Sequence, residues 1–152
     1  MKVMIGLVLL LMMMPAIAKE DERGGRADAE NMVKKAIAYL NVNGPVKSFA
    51  AFTAPSQAFV DKDIYIAVYD RQGVCRAHGQ TAKMVGKNFM NIVDISGKEY
   101  IKERIKLAAS QQEFWHQYKF TDPISKKILK KDMFCKNNNE FILCAGIYFP
   151  DK

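Results

Sequence analysis

The feature that most restricts the fold of this chain is a change of hydrophobic period at Ile64. Upstream, Ala29, Met32, Val33, Ala36, Ile37 and Leu40 recur at helical spacing, with Asp28 placed to cap the start. Gly44-Pro45 interrupts this stripe. Proline suits the first position of a helix, so a second, short helix is expected from Pro45 to Phe52, presenting Phe49 and Phe52. From Ile64 the period becomes two. Ile64, Ile66 and Val68 share one face of a strand, and Tyr65, Ala67 and Tyr69 share the other. Asp70-Arg71-Gln72-Gly73 turns the chain into a return strand, Val74 to His78. A further helix is expected over Lys98 to Ser110, with Ile101, Ile105 and Ala108 on one face and Asp94 with Gly97 as the turn and cap before it. Strands follow at Phe114–Phe120, Lys127–Lys136 and Glu140–Phe149, the last two joined through Asn137-Asn138-Asn139, a hairpin signal. Hairpin-joined strands with helices before and between them describe an α+β fold. The expectation is a five-stranded antiparallel sheet with the helices packed on one face. It differs from the βαβ alternation of a parallel sheet.

The first residues have a different character. Met1-Lys2 is a short basic start, Val3–Met14 carries no charge, Pro15-Ala16-Ile17-Ala18 follows, and the chain turns polar at Lys19. This is the pattern of a secretory signal peptide with Ala16-x-Ala18 at the cleavage site. The apolar run is shorter than the ~20 residues a membrane-spanning helix needs; an uncleaved anchor is the competing reading. Residues 19–27 (KEDERGGRA) read as a flexible lead-in, and residues 28–152 as one domain. Removing residues 1–18 from the 152 leaves 134 and takes one lysine, Lys2, off the net charge of +7. A globule of that size holds one core and one small-molecule pocket. Export, to the periplasm or beyond the cell, permits disulfides. Cys75, Cys135 and Cys144 allow one bridge at most. Cys135 and Cys144 are favoured because both lie near the C-terminal hairpin, with three buried thiols as the alternative.

A basic balance suits an acidic partner. The lysines are scattered, however, in small clusters such as Lys34-Lys35, Lys126-Lys127 and Lys130-Lys131, without a stripe of interleaved aromatics. That is a solvated basic surface rather than a nucleic-acid interface. There is no Gly-rich phosphate loop, no GxSxG and no HExxH. His78 and His116 have no His or Cys at metal spacing. Cys75 and His78, three apart, fall on opposite faces of a regular strand, which disfavours a thiol–imidazole pair. His116 reads as a surface residue. No enzyme, metal or cofactor is implied.

Six segments, in order, carry a resemblance: KAIAYLNVNGPVKSFAAFTAP (35–55), FVDKDIYIAVYDRQGVCRAHG (59–79), MVGKNFMNIVDISGKEYIKE (84–103), FWHQYKFTDP (114–123), KKDMFC (130–135) and FILCAGIYF (141–149). Together they resemble the single Cache domain family, type 2, the extracytoplasmic sensory domains of bacterial chemoreceptors and histidine kinases, also found as stand-alone secreted proteins. The resemblance implies a PAS-like antiparallel sheet, a long N-terminal helix along it, and a sheet-side pocket for a small metabolite. Three departures stand out. Lys62 occupies a turn position where the family usually has Gly, Glu113 one often filled by Gly, and Lys131-Asp132-Met133 keeps the family's Lys but with bulkier neighbours.

The candidate ligand-binding residues are Phe52, Tyr65, Tyr69, His78, Trp115, Tyr118, Lys131 and Tyr148. Aromatic walls with one or two polar anchors suit a small acid or amide. Lys131 would hold a carboxylate, and His78 or a tyrosine hydroxyl would orient it. Trp115 and Tyr118, three apart, cannot share a strand face without a bulge. The expectation is a non-catalytic, exported, small-molecule-binding sensory domain. No signalling domain follows residue 152 in this sequence, so a membrane-bound receptor or kinase is the expected protein partner. The alternatives are a structural or interaction protein of the envelope with a vestigial pocket, and a small thiol enzyme using Cys75.

Overall fold

A computed structural model describes residues 23–150; the expected signal peptide over 1–18 lies outside the described residues. Helix α1 runs Arg26–Phe52 and kinks at Gly44, whose φ of 73° breaks the helical path before Pro45. The two helices expected there are present and follow one another directly: Gly44 leaves the helical region and Pro45 opens the second stretch, through Phe52. Its N-cap is Gly25, not Asp28. The Asp28 carboxylate accepts the Gly25 N–H at 2.8 Å from the third helical position. The expected lead-in is also more anchored than its composition suggests. Arg23 donates to Asp122 at 2.8 and 3.1 Å and to Asp63 at 3.1 Å, and both aspartates are fully buried. Two buried carboxylates need a cation, and Arg23 supplies it.

The strands are β1 (Val60–Asp61), β2 (Ile64–Tyr65), β3 (Ala67–Asp70), β4 (Cys75–His78), β5 (Glu113–Thr121), β6 (Ile128–Asn138) and β7 (Phe141–Phe149), with helix α2 at Tyr100–Ser110. β1 and β2 form a small ribbon. The main sheet is five-stranded and antiparallel, in the order β4-β3-β7-β6-β5. The architecture is thus α+β, as the sequence implies. The run from Ile64 is split at Ile66: its first two residues pair with β1 and the rest enter the main sheet.

The alternation at 64–69 sorts the two faces as expected. Ile64, Ile66 and Val68 pack with Ala29, Val33, Ala36, Phe52 and Leu143 under α1. Ala67 and Tyr69 face the other way, with Ile101 and Ala108 of α2, Met133 and Ile142. The helices therefore cover opposite faces rather than one. Each face of the sheet carries an apolar set, and each needs a cover. Cys135 and Cys144, directly opposite one another on β6 and β7, form a disulfide beneath α2.

Lys62 adopts φ 55° in the β1–β2 turn, the left-handed region where a side chain costs about 1–2 kcal/mol. This is the physical reason a glycine fits there. Lys62→Gly relieves that strain but adds unfolded-chain entropy of ~0.5–1 kcal/mol. The net expectation is stabilisation by up to about 1 kcal/mol, read as a raised urea midpoint; a lowered midpoint would contradict it.

Candidate functional site

Six of the eight candidate residues share the α2 face of the sheet: Tyr65, Tyr69, His78, Tyr118, Lys131 and Tyr148. Period-two alternation and register bring them together. Lys131 lies opposite Tyr118 of β5 on one side and Tyr148 of β7 on the other. The other two lie on the α1 face. Phe52 packs edge-on to Phe59 at 4.5 Å between ring centroids. Trp115 packs against Phe134 at 5.3 Å with the Arg26 guanidinium 4.2 Å above its ring. Neither can touch a ligand on the α2 side. With no bulge between β5 and β6, Trp115 and Tyr118 point apart, as their spacing requires.

Lys131 is the centre of the site. Its side chain is 1% exposed, and its ammonium donates to the Tyr65 hydroxyl at 2.8 Å and the Tyr148 hydroxyl at 3.0 Å. The rings of Tyr65, Tyr148 and Phe120 surround it, with centroids 4.1, 4.6 and 5.5 Å away, a cation–π box. The Tyr148 hydroxyl donates onward to the Thr121 carbonyl at 2.9 Å. Burial, then the nearby charge of Arg104, pushes the Lys131 ammonium well below the usual lysine range. Gly146, beside Lys131 and Met133, makes the room: a Cβ there would come within 2.7 Å of Lys131 Cε and 2.8 Å of the Asp132 carbonyl. Burial also raises the hydroxyl pKa values of Tyr65, Tyr69, Tyr118 and Tyr148, so all four remain neutral hydrogen-bonding groups.

Two residues of the candidate site escape the sequence reading. Arg104 of α2 is 1% exposed, and its Nε donates to His116 Nε2 at 3.0 Å. Its guanidinium lies 5.1 Å from the Tyr69 ring centroid and 5.5 Å from that of Tyr118. Its two terminal nitrogens are buried without a partner among the described residues. The signal was present: Arg104 is three after Ile101 and four before Ala108, on the apolar stripe of its helix. His116, expected at the surface, is 5% exposed. It lies two residues before Tyr118 and so shares its face, whereas Trp115 is the half-buried one.

His78 also departs from expectation. A register shift at Val68/Tyr69 places Cys75 opposite Tyr69 and His78 opposite Ala67, leaving Arg76 as the extra residue. Cys75 and His78 therefore share the α2 face, which regular spacing would forbid. They are not a nucleophile pair. His78 Nδ1 accepts the N–H groups of Gln80 and Thr81 at 3.3 and 3.1 Å, and the Cys75 thiol donates to the Ala77 carbonyl at 3.5 Å. Burial raises the Cys75 thiol to about 11, which suppresses the nucleophilic thiolate. Asp94 closes its turn as expected but does not cap α2; its other oxygen accepts the Lys119 N–H of β5 at 2.8 Å. The N-cap of α2 is Glu99.

One cleft, about 510 Å³, is lined by residues such as Val46, Phe49, Arg71, Arg76 and Phe141 and contains none of the buried basic groups. A second cleft, about 340 Å³, is lined by Tyr65, Gln80, Thr81, Met84, Phe120 and Asp122 among others; it borders the Lys131 cluster through the Tyr65 and Phe120 rings, and Lys131 itself lies behind them. Buried, uncompensated cations are the rarer and more informative feature, so the second cleft marks the candidate site. No helix among the described residues is long and apolar enough to cross a membrane.

Both histidines are held neutral, His78 at about 3 and His116 at about 2, chiefly by burial and then by Lys131 and Arg104, respectively the next largest influence on each. Geometry agrees, because each accepting nitrogen faces an N–H donor. Below about pH 6.5 the unfolded chain takes up protons that the folded one refuses, so stability falls with acidification. Urea midpoints are expected to drop from pH 7 to 4.5, by up to about 1.4 kcal/mol per pH unit for each histidine. A flat profile would contradict neutral, buried rings.

Residues 2–151 match the family model described as Single Cache domain 2. No curated protein matches. Among solved structures, a methyl-accepting chemotaxis protein from Vibrio parahaemolyticus RIMD 2210633 superposes with a TM-score of 0.68 at 18% identity, over 80% of this chain and 86% of that one. A Cache chemosensory domain described in terms of carboxylic acid recognition gives 0.67 at 17% identity, over 82% and 92%. The periplasmic sensor domain of a chemotaxis protein gives 0.63 at 16% identity, over 82% and 90%. At such identities the likeness carries the fold.

Proposed function

Because this chain belongs to the single Cache domain family, we propose that it is a non-catalytic sensory module that binds a small organic acid on the α2 face of its sheet. The observation that carries the reading is Lys131: a fully buried amino group whose charged form burial disfavours, held by two tyrosine hydroxyls and three rings, with no carboxylate bonded to it among the described residues. A buried cation without an anion is costly, and a ligand carboxylate removes that cost on binding. A similar fold in a carboxylic-acid-recognising Cache domain supports the same ligand class. Tyr65 and Tyr148 orient the anion through Lys131, and His78 holds the loop over the cleft by accepting the Gln80 and Thr81 amides. We read residues 1–18 as an export signal, so the module works in the periplasm or outside the cell, passing its state to a membrane-bound receptor or kinase.

One observation favours a second reading. The rings of Tyr100 and Tyr118 stack at 4.6 Å and nearly parallel between α2 and the sheet, filling space a ligand would use. A structural or interaction protein of the envelope with a closed pocket would look this way.

A thermal-shift screen of small carboxylates, amines and amides separates the two. A carboxylate at a hundredfold excess over its Kd is expected to stabilise the protein by about 2.7 kcal/mol, several degrees in Tm. Lys131→Ala is expected to fold and to lose most of that shift. Equal shifts in both proteins would remove Lys131 from the role. No shift with any carboxylate would leave the structural reading.

A further inference from the structure

On the α1 face the sheet outruns its helix. Arg26, the first residue of α1, pairs with Asp132, and in that row Asp132 and Ile147 are both buried. The next row toward the β5–β6 turn is Lys119, Lys130 and Phe149, directly opposite one another on β5, β6 and β7, and beyond it Thr121 lies opposite Ile128. All five are exposed, Ile128 at 46% and Phe149 at 40%. The turn from β5 to β6 adds Ile124, 39% exposed, and the exposed Lys126 and Lys127.

The charge at this end has one sign. Like charges directly opposite on neighbouring strands repel, yet Lys119 faces Lys130. Among the described residues, none of Lys119, Lys126, Lys127 and Lys130 is paired with a carboxylate. Neither row carries an acid, and Asp122, next to Thr121, is buried and held by Arg23. The Lys130 ammonium lies 5.4 Å from the centre of the Phe149 ring. Lysines interleaved with Ile124, Ile128 and Phe149 suit a lipid headgroup layer, where ammonium groups meet phosphates while rings and aliphatic stems enter the apolar boundary. An acidic protein would match the charge as well, but the course of the chain favours a bilayer. Residues 1–22, with the uncharged run Val3–Met14, join the domain at Arg23, which is bonded to Asp122 beside this patch. A retained leader brings this end of the domain to the lipid, and a cleaved one leaves the patch as the contact at that end.

We propose that the open end of the α1 face, built on Lys119, Lys130, Ile128 and Phe149 with the lysines of the β5–β6 turn, docks on an anionic phospholipid surface. This surface is separate from the carboxylate site and does not rest on it. The test titrates the full chain with lipid vesicles, either phosphatidylcholine alone or phosphatidylcholine with phosphatidylglycerol, and reads the bound fraction by sedimentation at low and high salt. Any binding through the leader is common to all variants and shows with the neutral vesicles. The wild type is expected to bind the anionic vesicles about tenfold or more tightly than the neutral ones, and to lose that preference at high salt. The double variant Lys119→Glu, Lys130→Glu is expected to lose the preference while binding neutral vesicles unchanged. Phe149→Ser, which keeps every charge, is expected to weaken anionic binding severalfold. Lys34→Glu with Lys47→Glu, the same charge change at exposed positions of α1, is expected to keep the preference. No anionic preference in the wild type would overturn membrane docking and leave the face to an acidic protein. Equal losses in the two double variants would also overturn it, because net charge rather than this patch would then govern binding. The wild-type comparison and the α1 control stand even if a patch variant does not fold.

Discussion

The contact on which the α2 side of this protein depends is the one between the Lys131 ammonium and the hydroxyls of Tyr65 and Tyr148. It spans three strands, because Tyr65 belongs to β2, Lys131 to β6 and Tyr148 to β7. A lysine stripped of water would be untenable among aliphatic side chains. Here, two oxygen acceptors and three ring faces replace part of its hydration, and its depressed pKa reports what is not replaced. The room it occupies exists because Gly146 carries no side chain. Remove any one of these arrangements and the lysine would have to leave the sheet face.

The two faces of the sheet have divided their work. Beneath α1 the core is aliphatic and aromatic, from Ala29 and Val33 through Ile66 and Val68 to Leu143. Its charged neighbours, Arg26 and Asp132, pair with each other. Beneath α2 the sheet presents tyrosines, histidines, Lys131 and, from the helix, Arg104. The first face supplies apolar burial and holds the strands in register. The second carries polar groups whose hydrogen bonding is incomplete, and such groups concentrate at binding sites. Arg23 joins the two sides of this design. It ties the segment before α1 to Asp63 in the β1–β2 turn and to Asp122 at the end of β5.

Much of this is legible in the amino-acid sequence. The change of period at Ile64 specified strands, their alternation sorted Ile64, Ile66 and Val68 from Ala67 and Tyr69, and the turns between strands implied antiparallel pairing. Six of eight candidate residues fall on one face because alternation is a local property of extended backbone. Phe52 and Trp115 lie on the other face for a different reason: an aromatic suits a core as well as a pocket, and its chemistry does not say which face is which.

The sequence by itself determined what short-range geometry controls: helix and strand identity, the faces of regular elements, the conformational demand at Lys62, and the chemical types available to a site. Only the tertiary structure decided the rest. The bulge at Arg76 put Cys75 and His78 on one face, the packing of α2 delivered Arg104 into the tyrosine cluster, and burial made His116 an acceptor rather than a surface group. Each depends on which distant segments come together and on how little water remains between them. A charged or titratable side chain takes its character from that surrounding medium, and no local run of residues contains it.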